Sequence, residues 1–393
     1  MDPSEWKAAL ACIVRDCIEL RRDIHRHPEL SGKEERTQKL LEVEMRKLGA
    51  EIVRFENCYG LMATLRNGEG PCVAIRADMD ALPVQEQTGL SFASETPGVM
   101  HACGHDMHMG MAVGSARWFS ANRDKWHGSI RYLFEPQEET TGGGKMMTAQ
   151  GCMRGVDVII GQHVNPSYPV GTFYSRSGFV SGASDEVEML IRGNGCHGAY
   201  PHRGIDAIVI CAQAICALQT LVSRNLSPFD PAVLTLGMIE GGKANNIVCD
   251  EVKVRGTLRT LNNDVRTMMQ ERARSLVSNL CKGMGGEGEI RFLKSYGAVY
   301  NEPEYYVDVE KTAIQLLGRQ GLVVQQAPSL GVESFCFFLK ETPGVYYDLG
   351  SGVSSALHAP TFVADEGVLE IGIMMQCASV LELMRHINER KGV

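Results

Sequence analysis

The sequence predicts an α/β protein in which a mixed, mostly parallel sheet forms a catalytic domain and a small ferredoxin-like α+β domain is inserted into it. Three observations predict this. Strand-like and helix-like runs alternate through residues 1–183, and several buried strands there end on polar clusters, where open α/β sheets place their ligands. Residues 184–293 then read β-α-β-β-α-β, the ferredoxin-like order, in a length suited to an independent domain. From 294 to 393 the first pattern resumes.

A chain of 393 residues with 44% hydrophobic and 22% charged positions is ordinary globular protein, long enough for two domains. A net charge of -8 without any Lys/Arg-rich block excludes a nucleic-acid partner. The acidic start, Met1-Asp2-Pro3-Ser4-Glu5, enters a helix directly and does not read as a signal peptide. The longest apolar stretch, 207–222, is interrupted by Gln213 and Gln219 and reads as too short and too polar to span a bilayer, so no membrane partner is expected. Thirteen cysteines, an odd number without a CxxC pair, suit small buried hydrophobes in a reducing, cytoplasmic setting.

Taken in order, Asp2 and Glu5 form a capping box, and Trp6, Leu10, Ile13, Cys17 and Leu20 recur at helical spacing. Pro28 ends that helix within His25-Arg26-His27-Pro28-Glu29. Ser31 and Glu34 read as the cap of a second helix, closed by Gly49. Strands follow at 51–55, 61–66 and 72–77, the last two joined through Asn67-Gly68 as a hairpin. The third runs into Asp78-Met79-Asp80. A helix extends from about 106 to 119. Strand 129–134 ends on Glu135-Pro136-Gln137-Glu138-Glu139, and strand 156–160 ends on Gln162-His163. In the inserted segment, strands at 186–191, 233–239, 251–258 and 289–293 frame helices at 205–222 and 265–280. Helix 303–319, strand 322–324, helix 334–339, strand 345–349, a loop holding His358-Ala359-Pro360 and a final helix from 365 complete the chain.

The chemistry concentrates in His101-Ala102-Cys103-Gly104-His105-Asp106-Met107-His108, which sets three imidazoles, a thiol and a carboxylate in eight residues. Each is a metal ligand once deprotonated. With Asp78/Asp80, Glu138/Glu139 and His163 at three strand ends, the fold brings enough N, O and S donors to one edge for a two-metal hydrolytic site. Glu138 and Glu139 are adjacent, so one can ligate while the other stays free to move protons. A Glu-Glu pair alone is equally well a solvated turn; behind buried Phe134 and facing the other clusters it reads as functional. His25, His27 and His127 read as structural or surface residues. Asp106 either bridges metals or caps its helix, and His101 and His108 lie behind the ligands or face substrate.

On these motifs the chain resembles the M20 metallopeptidase/amidohydrolase family, in its aminoacylase-like branch of hippurate, indole-acetyl-amino-acid and N-acetyl-diaminopimelate hydrolases. The matching residues include Asp78-Met79-Asp80-Ala81-Leu82-Pro83, the Cys103/His105 cluster, Glu135-Pro136-Gln137-Glu138-Glu139, Gly161-Gln162-His163, His197-Gly198-Ala199-Tyr200-Pro201-His202 and His358-Ala359-Pro360-Thr361-Phe362. The resemblance implies two divalent ions per subunit held by Cys103, His105, Glu139, His163 and His358, with Glu138 as general base and acid and Asp80 orienting a ligand from behind. It further implies that the inserted domain is a lid and dimer contact, making a homodimer or a higher homo-oligomer, with His197 stabilising the oxyanion and Asn246 and Arg259 holding substrate. Asp78-Met79-Asp80 stands where many members carry His-x-Asp, the pattern of this branch, and Cys249 replaces a usual proline.

The expected activity is cleavage of an N-acyl amino acid to a carboxylic acid and a free amino acid. A dipeptidase or carboxypeptidase needs the same chemistry and differs in its acyl-side pocket, and a non-catalytic metal- or peptide-binding relative is the reading from another class. The Cys103 thiolate favours Zn²⁺, while Mn²⁺, Co²⁺ or Ni²⁺ suit such donors by geometry and supply. Gly193-Asn194-Gly195-Cys196-His197-Gly198 matches GxGxxG, but Pro201 and Gly204 delay any helix there and no acidic residue follows at the required distance, so a nicotinamide cofactor is rejected.

Overall fold

Asp2 accepts the N–H groups of Ser4 and Glu5 while the Glu5 carboxylate accepts that of Asp2, so the capping box starts α1 (Pro3–Arg26). The computed structural model describes residues 1–392. Trp6, Leu10, Cys17, Leu20 and Ile24 bury one face of α1, and His27 ends it before Pro28. The next helix, α2 (Glu35–Lys47), is not capped by Ser31 and Glu34 as its sequence suggests. Glu29 does that work, its two carboxylate oxygens accepting the N–H groups of Arg36 and Thr37 at 3.0 and 2.8 Å. Ser31 and Glu34 are drawn inward instead, by polar partners from distant segments that no local pattern reveals.

The expected hairpin is also absent. Asn67-Gly68 does turn the chain, with Gly68 at φ 80°, between β1 (Glu51–Arg54) and β2 (Leu61–Asn67) on one side and β3 (Cys72–Asp78) on the other. After α3 (His105–Ala121), strand β4 (Gly128–Glu135) enters between β2 and β3, antiparallel to the first and parallel to the second. The Asn67 amide donates to the carbonyls of Arg123 and Trp126, so it anchors the approach to β4 rather than closing a two-stranded ribbon. A short α4 (Gly143–Ala149), unforeseen in the sequence, precedes β5 (Val158–Asn165), which places His163 within the strand and not beyond it. Two short strands, β6 (Phe173–Ser175) and β7 (Gly178–Ser181), were also not evident from pattern.

The inserted segment contains β8 (Ala183–Arg192), α5 (Ala207–Asn225), β9 (Ala232–Gly241), β10 (Glu251–Thr260), α6 (Asn263–Gly283) and β11 (Glu287–Tyr296). Its four strands run β11-β8-β10-β9, antiparallel throughout. Val187, Met189 and Ile191 of β8 and Val252 and Val254 of β10 bury one face together with Ile210, Ala214 and Leu218 of α5 and Met269, Ala273 and Val277 of α6. This compact unit comprises Ser181–Val299 with Pro328–Glu333.

The other unit comprises Met1–Val180, Tyr300–Ala327 and the chain from Ser334. After β12 (Val299–Asn301), its C-terminal part supplies α7 (Pro303–Leu317), β13 (Leu322–Val324), α8 (Cys336–Leu339), β14 (Gly344–Gly350) and α9 (Gly367–Lys391). Its eight-stranded sheet has the order β1-β2-β4-β3-β5-β14-β6-β13. The central strands β4, β3, β5 and β14 are mutually parallel, and β3 and β4 are buried along their whole length, as strands covered on both faces must be. Parallel register sets Asp78 beside Glu135 and His163 beside Asp348, so polar residues from neighbouring strands share one sheet edge. Both α5 and α9 are long and apolar enough to cross a membrane, contrary to the reading of 207–222 as too short and polar. Each buries side chains in the core of its own unit.

Candidate active site

A tight turn seats the first donors. Gly104 lies at φ 81°, and a Cβ there would come within 2.3 Å of Val164 Cγ2, so only glycine lets the turn rest against β5. The turn presents Cys103 and starts α3 with His105. His105 Nδ1 donates to the Asp80 carbonyl at 2.8 Å, leaving Nε2 turned to the site. His163 is oriented in the same manner: Nδ1 donates to the Val164 carbonyl at 2.7 Å, and Nε2 lies 3.4 Å from Cys103 Sγ.

Two residues in left-handed backbone conformations supply the rest. Gln137, at φ 56°, starts the turn that presents Glu138 and Glu139; His358 is at φ 66°. For residues other than glycine such conformations cost on the order of 1–3 kcal/mol and persist where surrounding contacts enforce them. Glu138 Oε1 accepts the Ser334 N–H at 3.2 Å, and the Glu139 N–H donates to Asp80 Oδ2 at 3.1 Å. His358 Nε2 is 3.4 Å from Glu139 Oε1.

All five residues read as ligands therefore meet, together with Glu138. Cys103, Glu139 and His358 each bring a donor atom within 4.8 Å of the others, as do His105, Glu138 and Glu139, and as do Asp78, His105, His108 and His163. His108 is already engaged: Val164 N–H donates to its Nε2 at 3.0 Å, which places the proton on Nδ1, 2.5 Å from Asp78 Oδ1. It is thus a neutral support for Asp78, and burial lowers its pKa to about 4.

Charge beneath the donors is arranged by a wholly buried arginine. Arg76 meets Asp78 Oδ2 and Glu135 Oε2, both at 2.7 Å, and donates to the Ser334 hydroxyl at 2.8 Å. Burial favours protonated Asp78, but Arg76 and the neighbouring imidazoles outweigh it and hold the carboxyl well below its ordinary range. Burial acts likewise on Glu139, where bonding to His358 and the nearby His105 prevail and lower it. The Cys103 thiol is pushed well above its ordinary range by burial.

The donor set fits divalent cations. His105 Nε2 and Asp80 Oδ1 are buried without a hydrogen-bond partner, an arrangement that costs free energy unless a positive ion satisfies the lone pairs. Thiolate, imidazole and carboxylate together are the donors of zinc-like hydrolytic sites, and metal binding would draw the proton from Cys103.

Asp106 does neither of the things its position suggested. It accepts from Arg21 Nε at 2.6 Å and is bonded to His25 Nδ1 at 2.7 Å, makes no cap to α3, and among the described residues joins no group of ligand atoms. His25 is thus a buried structural residue, His27 is half-buried, and His127 is exposed. His101 is buried with neither ring nitrogen paired.

Sequence reasoning missed Arg76 and Ser334 and misassigned Ser31 and Glu34. Ser31 Oγ donates to Asp80 Oδ2 at 2.6 Å, and Glu34 Oε1 accepts the Gln137 N–H at 2.9 Å. Burial raises Glu34 to about 7. An arginine in an apolar strand was the one available signal, since a buried guanidinium demands carboxylate partners.

His197, Asn246 and Arg259 belong to the inserted unit. His197 bridges to Ile247, next to Asn246, and its Nδ1 accepts the Ala199 N–H at 3.1 Å, which assigns the proton of a neutral ring to the exposed Nε2. Arg259 donates to the Ser184 hydroxyl. Cys249 is buried, with its thiol 3.0 Å from the Glu251 carbonyl.

Residues 74–382 match the model of peptidase family M20/M25/M40. The chain is 39% identical to thermostable carboxypeptidase 1 of Saccharolobus solfataricus, over 91% of this chain and 92% of that protein. It is 35% identical to N-acetyldiaminopimelate deacetylase of Halalkalibacterium halodurans, over 91% and 96%. A solved dinuclear metal-binding peptidase of family M20 from Bacillus subtilis superposes with a TM-score of 0.80 at 29% identity, covering 95% of this chain and 99% of that one.

Proposed function

Because the chain belongs to peptidase family M20/M25/M40, we propose that it is a dinuclear-metal amidohydrolase that cleaves an N-acyl amino acid to a carboxylic acid and a free amino acid. The observation that carries this reading is that two adjacent carboxylates reach the same donors with different partners. Glu139 lies beside Cys103 and His358, whereas Glu138 brings an oxygen within 4.8 Å of His105 and Glu139 while its Oε1 accepts the Ser334 N–H.

Cys103, His105, Glu139, His163 and His358 would hold the ions, Zn²⁺ on the softness of the thiolate or Mn²⁺, Co²⁺ or Ni²⁺ by supply. When bound, the ions polarise the scissile carbonyl and acidify a water molecule. Glu138 takes a proton from the attacking water and returns it to the departing nitrogen as the amide C–N bond breaks. Asp80 keeps His105 and the Glu139 main chain in place. His197, with Nε2–H exposed, is suited to donate to the developing oxyanion, by closure of its unit or from a partner subunit in a homodimer. Asn246 and Arg259 are assigned to the substrate's polar end, the arginine to its carboxylate. Thirteen free thiols support a reducing, cytoplasmic setting.

The test is a hydrolysis panel of N-acetyl and N-benzoyl amino acids beside dipeptides, using metal-free protein and protein loaded with each ion. Metal-dependent release of the amino acid from N-acyl substrates is the expected result. Turnover of dipeptides alone would assign a peptidase, the activity named for the Saccharolobus relative. Metal binding without any turnover would assign a non-catalytic role.

A further inference from the structure

The loop between α1 and α2 caps α2 through Glu29 alone, and its other polar side chains, Ser31 and Glu34, meet the catalytic turn instead. On one flank, the Glu34 carboxylate accepts the N–H of Gln137, the left-handed residue that precedes Glu138. On the other, the Ser31 hydroxyl donates to Asp80 Oδ2, the same oxygen that accepts the Glu139 N–H. The main chain is thereby fixed immediately before and immediately after Glu138.

Two further features argue that this is more than packing. Glu34 is fully buried, and its Oε2 has no hydrogen-bond partner, a costly group to keep where an apolar side chain could fill the space. The loop is also tied to the strand end that carries Asp80: Ala81 N–H donates to the Glu29 carbonyl at 2.8 Å, and Leu30 pairs with Ala81 as an isolated parallel bridge. Ser31 and Glu34 both lie N-terminal to the segment that the family model matches.

We propose that Ser31 and Glu34 are positioning residues that clamp the Gln137–Glu139 turn, so that Glu139 is aimed at the metals and Glu138 at the proton in transit. The proposal rests on the roles given above to Glu138 and Glu139. Neither Ser31 nor Glu34 is assigned to metal or substrate; they act through Asp80 and the main chain of Gln137. Partners that orient ligands from behind typically change metal affinity or activity by about 10–100-fold when removed.

The test compares Glu34→Ala, Glu34→Gln and Ser31→Ala. Zn²⁺ affinity of the metal-free protein is read by competition with a chromophoric chelator, and kcat and KM are measured at saturating metal. Glu34→Ala and Ser31→Ala should each weaken Zn²⁺ binding or lower kcat by about 10–100-fold, with KM within about threefold. Glu34→Gln keeps an acceptor oxygen for the Gln137 N–H and should stay within about threefold of the wild type in both. Wild-type affinity and kcat in both alanine variants would overturn the clamp. So would a glutamine variant as impaired as the alanine one, because the effect would then belong to charge and not to the tether. If Glu34→Ala does not fold, Ser31→Ala decides, and wild-type behaviour there overturns the proposal. The Zn²⁺ titration needs no substrate, so a wild-type protein that binds metal but hydrolyses nothing counts against the function and leaves the clamp to be judged on affinity. A wild-type protein that binds no metal overturns both.

Discussion

The main-chain N–H of His358 donates to the carbonyl of Ala102 at 2.8 Å, and this bond carries a C-terminal loop onto the turn that presents Cys103. It ties together two donors from opposite ends of the chain and holds His358 in its left-handed conformation. The thiol and the imidazole then share Glu139 as a common neighbour.

Cys103→Ser should therefore lose metal while keeping its fold. A hydroxyl is not readily deprotonated at neutral pH, whereas a metal-bound thiol is. Inductively coupled plasma mass spectrometry on dialysed protein checks this, and unchanged stoichiometry and affinity would remove Cys103 from the ligand set.

Asp106→Asn should unfold more readily. Arg21 and Asp106 are almost completely shielded from solvent, and breaking a buried pair costs about 3–5 kcal/mol where the other charge is left uncompensated. Glu366 Oε1, 3.3 Å from Arg21 Nη1, still faces the guanidinium here, so the loss falls toward the lower end of that range. Urea denaturation of metal-free protein measures the loss. A change below about 1 kcal/mol would show that the pair contributes little.

Glu86 gives stability an acid limb. Burial alone would raise its carboxyl, but bonds from His25, the Thr88 hydroxyl and the Ser94 N–H outweigh it and bring the pKa from 4.5 down to about 2. The folded value is depressed, so the stabilisation is fully present above about pH 4.5 and is lost as pH falls toward 2. Glu86→Gln should remove up to one proton from the uptake on unfolding in that window, a slope of about 1.4 kcal/mol per pH unit. Parallel pH–stability curves for variant and wild type would contradict this.

The fold was legible where periodicity and local signals act alone. The α1 capping box, the β-α-β-β-α-β order and the alternation around it need only neighbouring residues. What escaped was decided by distant partners. Asn67-Gly68 looks like a hairpin turn until β4 is seen to pair with both flanking strands, and Ser31 and Glu34 look like a cap until Asp80 and Gln137 draw them inward. Asp106 was ambiguous for the same reason, because its ion pair comes from α1. The residues that bring donor atoms together were readable because donor chemistry is written in residue type, but His108 shows the limit. Its hydrogen bonds to Val164 and Asp78 make it a support and not a free donor, and no spacing reveals them.

His197 provides a test of subunit cooperation. Mixing His197→Ala with Glu138→Gln, two inactive parents, should restore activity on subunit exchange if His197 serves the partner's site, since one mixed site regains both residues. Confirmed exchange without recovered activity would confine His197 to its own chain or remove it from catalysis.

The most direct measurement places metal content and amide hydrolysis side by side for the wild type and Glu138→Gln. The amide matches the carboxylate in shape but cannot accept the proton, so the variant should retain its metals and lose turnover by about 10²–10⁴-fold. Near-wild-type turnover in a fully metal-loaded Glu138→Gln would contradict the assignment of Glu138 as the proton carrier and the hydrolytic mechanism built on it.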